Sequence, residues 1–155
     1  MSRGTCTPFT SSRHHHAVKD ADFIQAARWI STNTPETDLV IAPPWWNDGF
    51  YYLRRPLIAN WHAPRYDRLT EWKDRIESLV GDTSDLTYED AMDGQMNAAA
   101  WSYYASLSTE QIEHIQKEYG GKTGAKWLVT TGQYPYRVAF RAKSYFVYEL
   151  PLVQR

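Results

Sequence analysis

A single cysteine, Cys6, stands among the 155 residues, which excludes an intramolecular disulfide framework and any zinc site built on several thiolates. Long apolar runs are missing as well. The longest are about half a dozen residues, against the ~20 that a membrane-crossing helix needs. Charge of one sign is also lacking: 17 Lys and Arg face 18 Asp and Glu for a net charge of −1. The cations are scattered, so the footprint of a DNA- or RNA-binding surface is absent and no nucleic-acid partner is expected. The first residues carry no apolar stretch of the roughly 7–15 residues that marks a secretory signal. Zinc ligands at diagnostic spacing, a phosphate-cradling Gly-rich loop and a dinucleotide fingerprint are missing too. The run Gly120–Gly124 lacks the upstream glycine of a P-loop and follows a helical pattern, so it reads as a turn.

What the chain does have is aromatic residues, 7 Trp and 11 Tyr within an aromatic content of 15%. Indoles stack on flat apolar faces such as sugar rings, and they also fill cores, so composition alone leaves both uses open. Hydrophobic residues at 43% and charged residues at 23% are the balance of a folded globular chain. The length is that of one ordinary domain.

Residues 1–19 are polar, rich in Ser and Thr, and predict a disordered tail. The adjacent His14, His15 and His16 on such a tail lack the fixed geometry of a metal site. A single α/β domain is expected over 20–155. Apolar spacing predicts helices over Asp20–Thr34, Tyr66–Val80 and Thr87–Leu107. A further helix opens with the Ser108/Gln111 capping box and runs to Tyr119 before two glycines. Short apolar runs at Asp38–Pro44, Pro56–Trp61 and Lys126–Gly132 predict buried strands, and Arg137–Lys143 with Tyr145–Leu150 predicts a hairpin. The alternation argues for a three-layer α/β domain with a mainly parallel sheet and a C-terminal antiparallel hairpin.

In such sheets ligands bind beyond the carboxyl ends of the strands. That rule singles out Trp45, Trp46, Asn47 and Asp48 after the first strand, His62 and Arg65 after the second, and Gln133 after the third. Trp45 or Trp46 would stack on a sugar-like ring while Asn47, Asp48 and Gln133 bond its hydroxyls. The competing reading makes the indoles packing residues and Asn47-Asp48-Gly49 an ordinary turn. His62 and Asp48 suit an acid/base pair, but no Ser or Cys nucleophile is marked, and no catalytic residue is assigned. Glu71 and Arg75, four apart, predict an ion pair. The remaining adjacent carboxylates sit where capping accounts for them. No metal or cofactor is expected.

The run Ala26–Phe50 resembles a junction in the GT-C class of polytopic membrane glycosyltransferases. There a soluble extracytoplasmic domain opens with a helix ending in "W-x-x-x-x-T-P", here Trp29 through Thr34 and Pro35, followed by a strand. The likeness continues through Pro43–Pro44, through Arg55-Pro56-Leu57-Ile58, through Glu71-Trp72-Lys73-Asp74-Arg75, and through the closing Tyr145–Leu150. These elements resemble an uncharacterised bacterial C-terminal domain of such proteins, over about Asp20 to the C-terminus. Around Trp45–Gly49 the chain is also similar to the "W-W-D-x-G" motif of the oligosaccharyltransferase catalytic subunit, with Asn47 in place of the motif's Asp.

The resemblance implies a non-catalytic module of a polyprenyl-phosphate-dependent glycosyltransferase, because in that class the catalytic carboxylates lie on loops between membrane helices. A carbohydrate or polyprenyl-linked sugar acceptor and a membrane-embedded region are the implied partners. The extracytoplasmic, periplasmic face of the membrane is the implied location, while a chain without signal or span is expected in the cytoplasm if expressed alone. Two other readings stand beside it: a small free-standing enzyme acting on a polar substrate at the strand-exit rim, and an interaction module docking through Trp101–Tyr104.

Overall fold

The computed structural model describes residues 12–44, 51–61, 66–84 and 98–152. Its first element, α1 (Ser12–Asn33), begins eight residues ahead of the expected Asp20. The buried stripe still starts where the apolar spacing does, with Phe23, Ala26, Ala27 and Ile30 fully buried. Once that part is nucleated by packing, extending a helix backwards costs little, since each added residue gains a hydrogen bond. Asp22 is no terminal cap: its carboxylate accepts from the Ser144 N–H at 3.1 Å and hydroxyl at 2.6 Å, tying α1 to the C-terminal hairpin.

The end of α1 is closed by a residue 21 positions further on. The buried Arg55 guanidinium donates to the Ser31 carbonyl at 2.8 Å, and to the Thr34 carbonyl at 2.5 Å and hydroxyl at 3.1 Å. Carbonyls at a helix C-terminus have no intrahelical donor and carry partial negative charge, so a cation with a fork of N–H groups suits them.

The chain then forms β1 (Val40–Ile41), α2 (Leu69–Val80, entered through a 3-10 turn at Tyr66–Arg68), α3 (Ala98–Ala105) and α4 (Thr109–Tyr119). It ends with β2 (Trp127–Thr130), β3 (Arg137–Arg141) and β4 (Phe146–Glu149). The sheet order is β1-β2-β4-β3. Among the described strands only β1 and β2 pair in parallel; β2 with β4 and β3 with β4 run antiparallel. The expected C-terminal hairpin is present, but the mainly parallel sheet is not. Parallel neighbours need long crossovers, and the four residues between β3 and β4 can join only an antiparallel pair. Instead β4 inserts between β2 and β3. The strand expected over Pro56–Trp61 is reduced to one parallel bridge, Leu57 to Val40, closed by Val40 N–H to the Pro56 carbonyl at 2.9 Å and Ile58 N–H to the Val40 carbonyl at 3.1 Å. Of the helix expected over Thr87–Leu107, Ala98–Ala105 is observed, and 85–97 lie outside the described residues.

Strand alternation divides the core in two. Val40, Ala42, Val129 and Val147 face α1, whose Phe23 meets the Tyr145 ring edge-on at 5.5 Å. Ile41, Leu128 and Tyr148 face α2, α3 and α4 through Ile76, Leu79, Tyr104, Ile112 and Ile115. Helices therefore cover both sheet faces, as a period of two along buried strands requires.

Candidate functional site

The register sets three loop attachment points side by side. Val40 is level with Leu57 on one side and with Trp127 on the other, all three running the same way. Pro44, Trp61 and Thr131 each stand four residues past one of that trio, so they reach the same end of the sheet together. Trp61 donates its backbone N–H to the Pro44 carbonyl at 2.8 Å, which fixes two of them directly. From these points the chain enters 45–50, 62–65 and the β2–β3 connection. Trp45, Trp46, Asn47, Asp48, His62 and Arg65 lie outside the described residues. Gln133 is described, and it is exposed.

Aromatic side chains flank this end. Trp61 and Trp72 are half-buried with ring centroids 5.4 Å apart, and the Trp72 Nε1–H donates to the Asn60 carbonyl at 2.9 Å. Tyr66 and Leu69, at the start of α2, are 86% and 49% exposed. Sequence reasoning did not single out Tyr66. The signal available was its place directly after the His62–Arg65 loop, in a helix whose apolar stripe did not need it.

The third loop turns out to be more constrained than a simple rim. Because β4 lies between β2 and β3, residues 131–136 must cross over β4, and Tyr148 on β4 holds them. Its hydroxyl donates to the Gly132 carbonyl at 3.2 Å and accepts from the Tyr134 N–H at 3.2 Å. Gly132 is held to glycine by space: a Cβ there would stand 2.5 Å from the Ala105 carbonyl oxygen and 2.8 Å from the Tyr134 ring. Burial pushes the Tyr134 phenol up to about 12, with Tyr148 and Tyr136 beside it adding to the effect. Complete burial also raises Tyr104 well above the usual phenol range, and its hydroxyl donates to the Val129 carbonyl at 2.6 Å. These phenols stay neutral at physiological pH, so they serve as hydrogen-bonding and packing groups and not as bases.

Other expectations resolve elsewhere in the fold. Glu71 and Arg75 do form an ion pair, at 2.5 Å, and Arg75 also lies over the Tyr119 ring at 5.5 Å. Of the aromatics expected to dock a partner, Tyr104 is buried, Trp101 is half-buried and packed against both cores, and Tyr103 is 37% exposed. Among the described residues no group of three or more His, Cys, Asp and Glu side chains could hold a metal ion. No described helix is long and apolar enough to cross a membrane.

Residues 21–79 match the model of a family described as a domain of unknown function, DUF6798. The matched stretch runs from the buried stripe of α1 through β1 and the Leu57 bridge to the end of α2. No curated protein and no solved structure matches the chain.

Proposed function

We propose that this chain is a ligand-binding α/β module whose strand-exit rim takes a carbohydrate or a polyprenyl-linked sugar acceptor, acting beside the membrane-embedded catalytic part of a GT-C-type glycosyltransferase. The observation that carries the reading is the convergence of Pro44, Trp61 and Thr131 at one end of the sheet. Three loops bearing two indoles, two amides, a carboxylate, an imidazole and a guanidinium start from that single level. Stacking surfaces combined with a few polar groups are what a sugar ring requires. The half-buried Trp61 and Trp72 and the exposed Tyr66 extend the aromatic surface on one side. In this reading the chain binds and presents, and the transfer chemistry belongs to carboxylates on membrane loops of the larger enzyme.

The test is intrinsic tryptophan fluorescence of the chain titrated with mono- and oligosaccharides and with a polyprenyl-phosphate analogue. Trp29, Trp61, Trp72, Trp101 and Trp127 remain as reporters when Trp45 and Trp46 are replaced. The expected result is saturable binding by the wild type, weakened roughly tenfold or more in Trp45→Ala/Trp46→Ala. Gln133→Ala is expected to weaken it less. A folded wild type that gives no saturable change with any of these ligands would refute the reading.

A further inference from the structure

The outer strand β3 is hydrogen-bonded to β4 on one side and pairs with no other strand among the described residues. An edge of this kind offers backbone donors and acceptors to any extended chain, and natural proteins restrict which chain can use it. Three features do so here. A bulge falls between Val138 and Phe140 in a strand of only five residues, which bends the edge and limits indiscriminate pairing. The ends are cationic, with Arg137 and Arg141 exposed and the exposed Lys143 just beyond. Between them Val138 is apolar and 49% exposed.

Register assigns these side chains to faces. Val138 stands opposite Tyr148 and Arg141 opposite Phe146, on the side of α2, α3 and α4. Arg137 stands opposite Glu149 and Phe140 opposite Val147, on the side of α1. Arg137 bonds Glu149 at 2.7 Å and Arg141 lies over the Phe146 ring at 5.0 Å. Both contacts are at the surface, where such pairs contribute little and are readily exchanged for a better partner. Beside the start of β3 an open groove of about 510 Å³ is lined by Pro135, Tyr136, Leu150, Pro151 and Leu152 together with the Arg137–Glu149 pair. Leu152 is 72% exposed there.

We propose that the open edge of β3 takes up an extended segment of a partner protein by strand addition, the segment carrying carboxylates at both ends and an apolar residue between them. Main-chain hydrogen bonds supply affinity and the side chains supply choice. One carboxylate meets Arg137 on the α1 side, the other meets Arg141 on the opposite side, and the apolar residue covers Val138. A side chain flanking the segment enters the groove beside Leu152. A second copy of this chain is a poor occupant, because β3 carries Arg137 and Arg141 and no carboxylate that could pair with them.

The experiment uses the full chain and an end-capped, fluorescein-labelled peptide, Thr-Ser-Glu-Val-Val-Glu-Ser-Thr, whose two carboxylates, three residues apart, point to opposite faces as Arg137 and Arg141 do across the bulge, read by fluorescence anisotropy. Saturable binding is expected, weakened at least about tenfold in Arg137→Glu/Arg141→Glu. Both side chains are exposed, so that variant is expected to keep the wild-type circular dichroism, and it should gain affinity for the peptide with Lys in place of Glu. A peptide N-methylated at alternate amides should not bind, since it cannot complete the ladder. Absence of saturable binding, equal binding by the charge-reversed variant, or equal binding of the N-methylated peptide would each overturn the proposal. A dimer in sedimentation velocity with β3 amides protected from exchange would do the same, giving the edge to a second copy.

Discussion

Asp38 shows how one side chain couples the two halves of the chain. It is 4% exposed, and its carboxylate accepts from the Lys126 ammonium at 2.7 Å and the Trp127 indole N–H at 2.9 Å. Burial pushes the carboxyl up, but the Lys126 and Trp127 hydrogen bonds and the charges of Lys126 and Arg55 outweigh it, so the group sits below its usual range. A folded-state value below the unfolded one stabilises the protein above the unfolded pKa of about 3.9, and that contribution is lost as pH falls through the folded value. Asp38→Asn is expected to cost about 2 kcal/mol near pH 7. Urea denaturation across pH should show the gap to wild type narrowing below about pH 4. A gap that stays constant to low pH would mean that the charge of Asp38 does not matter. Neither this pair nor the Arg55 cap was legible in the sequence, because partners 88 and 21 positions apart leave no local pattern.

At the scale of elements, local chemistry was readable and tertiary pairing was not. The Ser108/Gln111 capping box forms as its spacing indicates, with Ser108 N–H to Gln111 Oε1 at 2.7 Å and Gln111 N–H to Ser108 Oγ at 3.2 Å. Gly81 ends α2 as expected, at φ +82°, with its N–H on the Glu77 carbonyl at 2.9 Å. An L residue is strained there, and a methyl group would also stand 3.1 Å from the Tyr103 ring. Gly81→Ala is expected to destabilise by about 1–3 kcal/mol, measured as a lower urea midpoint at unchanged slope. Since Tyr103 is partly exposed and able to shift, most of that cost is backbone strain. Pro56–Trp61 shows the limit of local reading. Its apolar run marks burial correctly, for Ile58 and Ala59 are inside, yet burial without a second strand neighbour leaves only the Leu57 bridge.

For the whole molecule, the sheet is one wall shared by two cores, so damage to one face is expected to propagate to the other. Phe23, fully buried against Tyr145, belongs to the α1 side. Phe23→Ala is expected to cost about 3–5 kcal/mol. Its unfolding should still be one transition, with coincident midpoints by tryptophan fluorescence and far-UV circular dichroism. Separate midpoints would show that the α1 layer melts by itself. Of the candidate rim, the sequence placed the loops that follow β1 and β2 at one end of the sheet, and this needs only that those two strands be parallel, as they are. It did not reveal that the third loop is a crossover pinned by Tyr148, since that follows from β4 lying between β2 and β3.

The sequence by itself determined the buried helix stripes, the Ser108/Gln111 and Gly81 caps, the C-terminal hairpin and the apolar runs that hold β1 and β2. Each of these depends on residues within a few positions of one another, where the periods of 3.6 and 2 and the capping geometry act. Only the tertiary structure decided the strand order, the mostly antiparallel sheet, the burial of Tyr104 and the place of β3 at the edge of the described sheet. Those depend on which distant segments bury surface against each other, and packing free energy is non-directional, so it leaves no mark in local spacing.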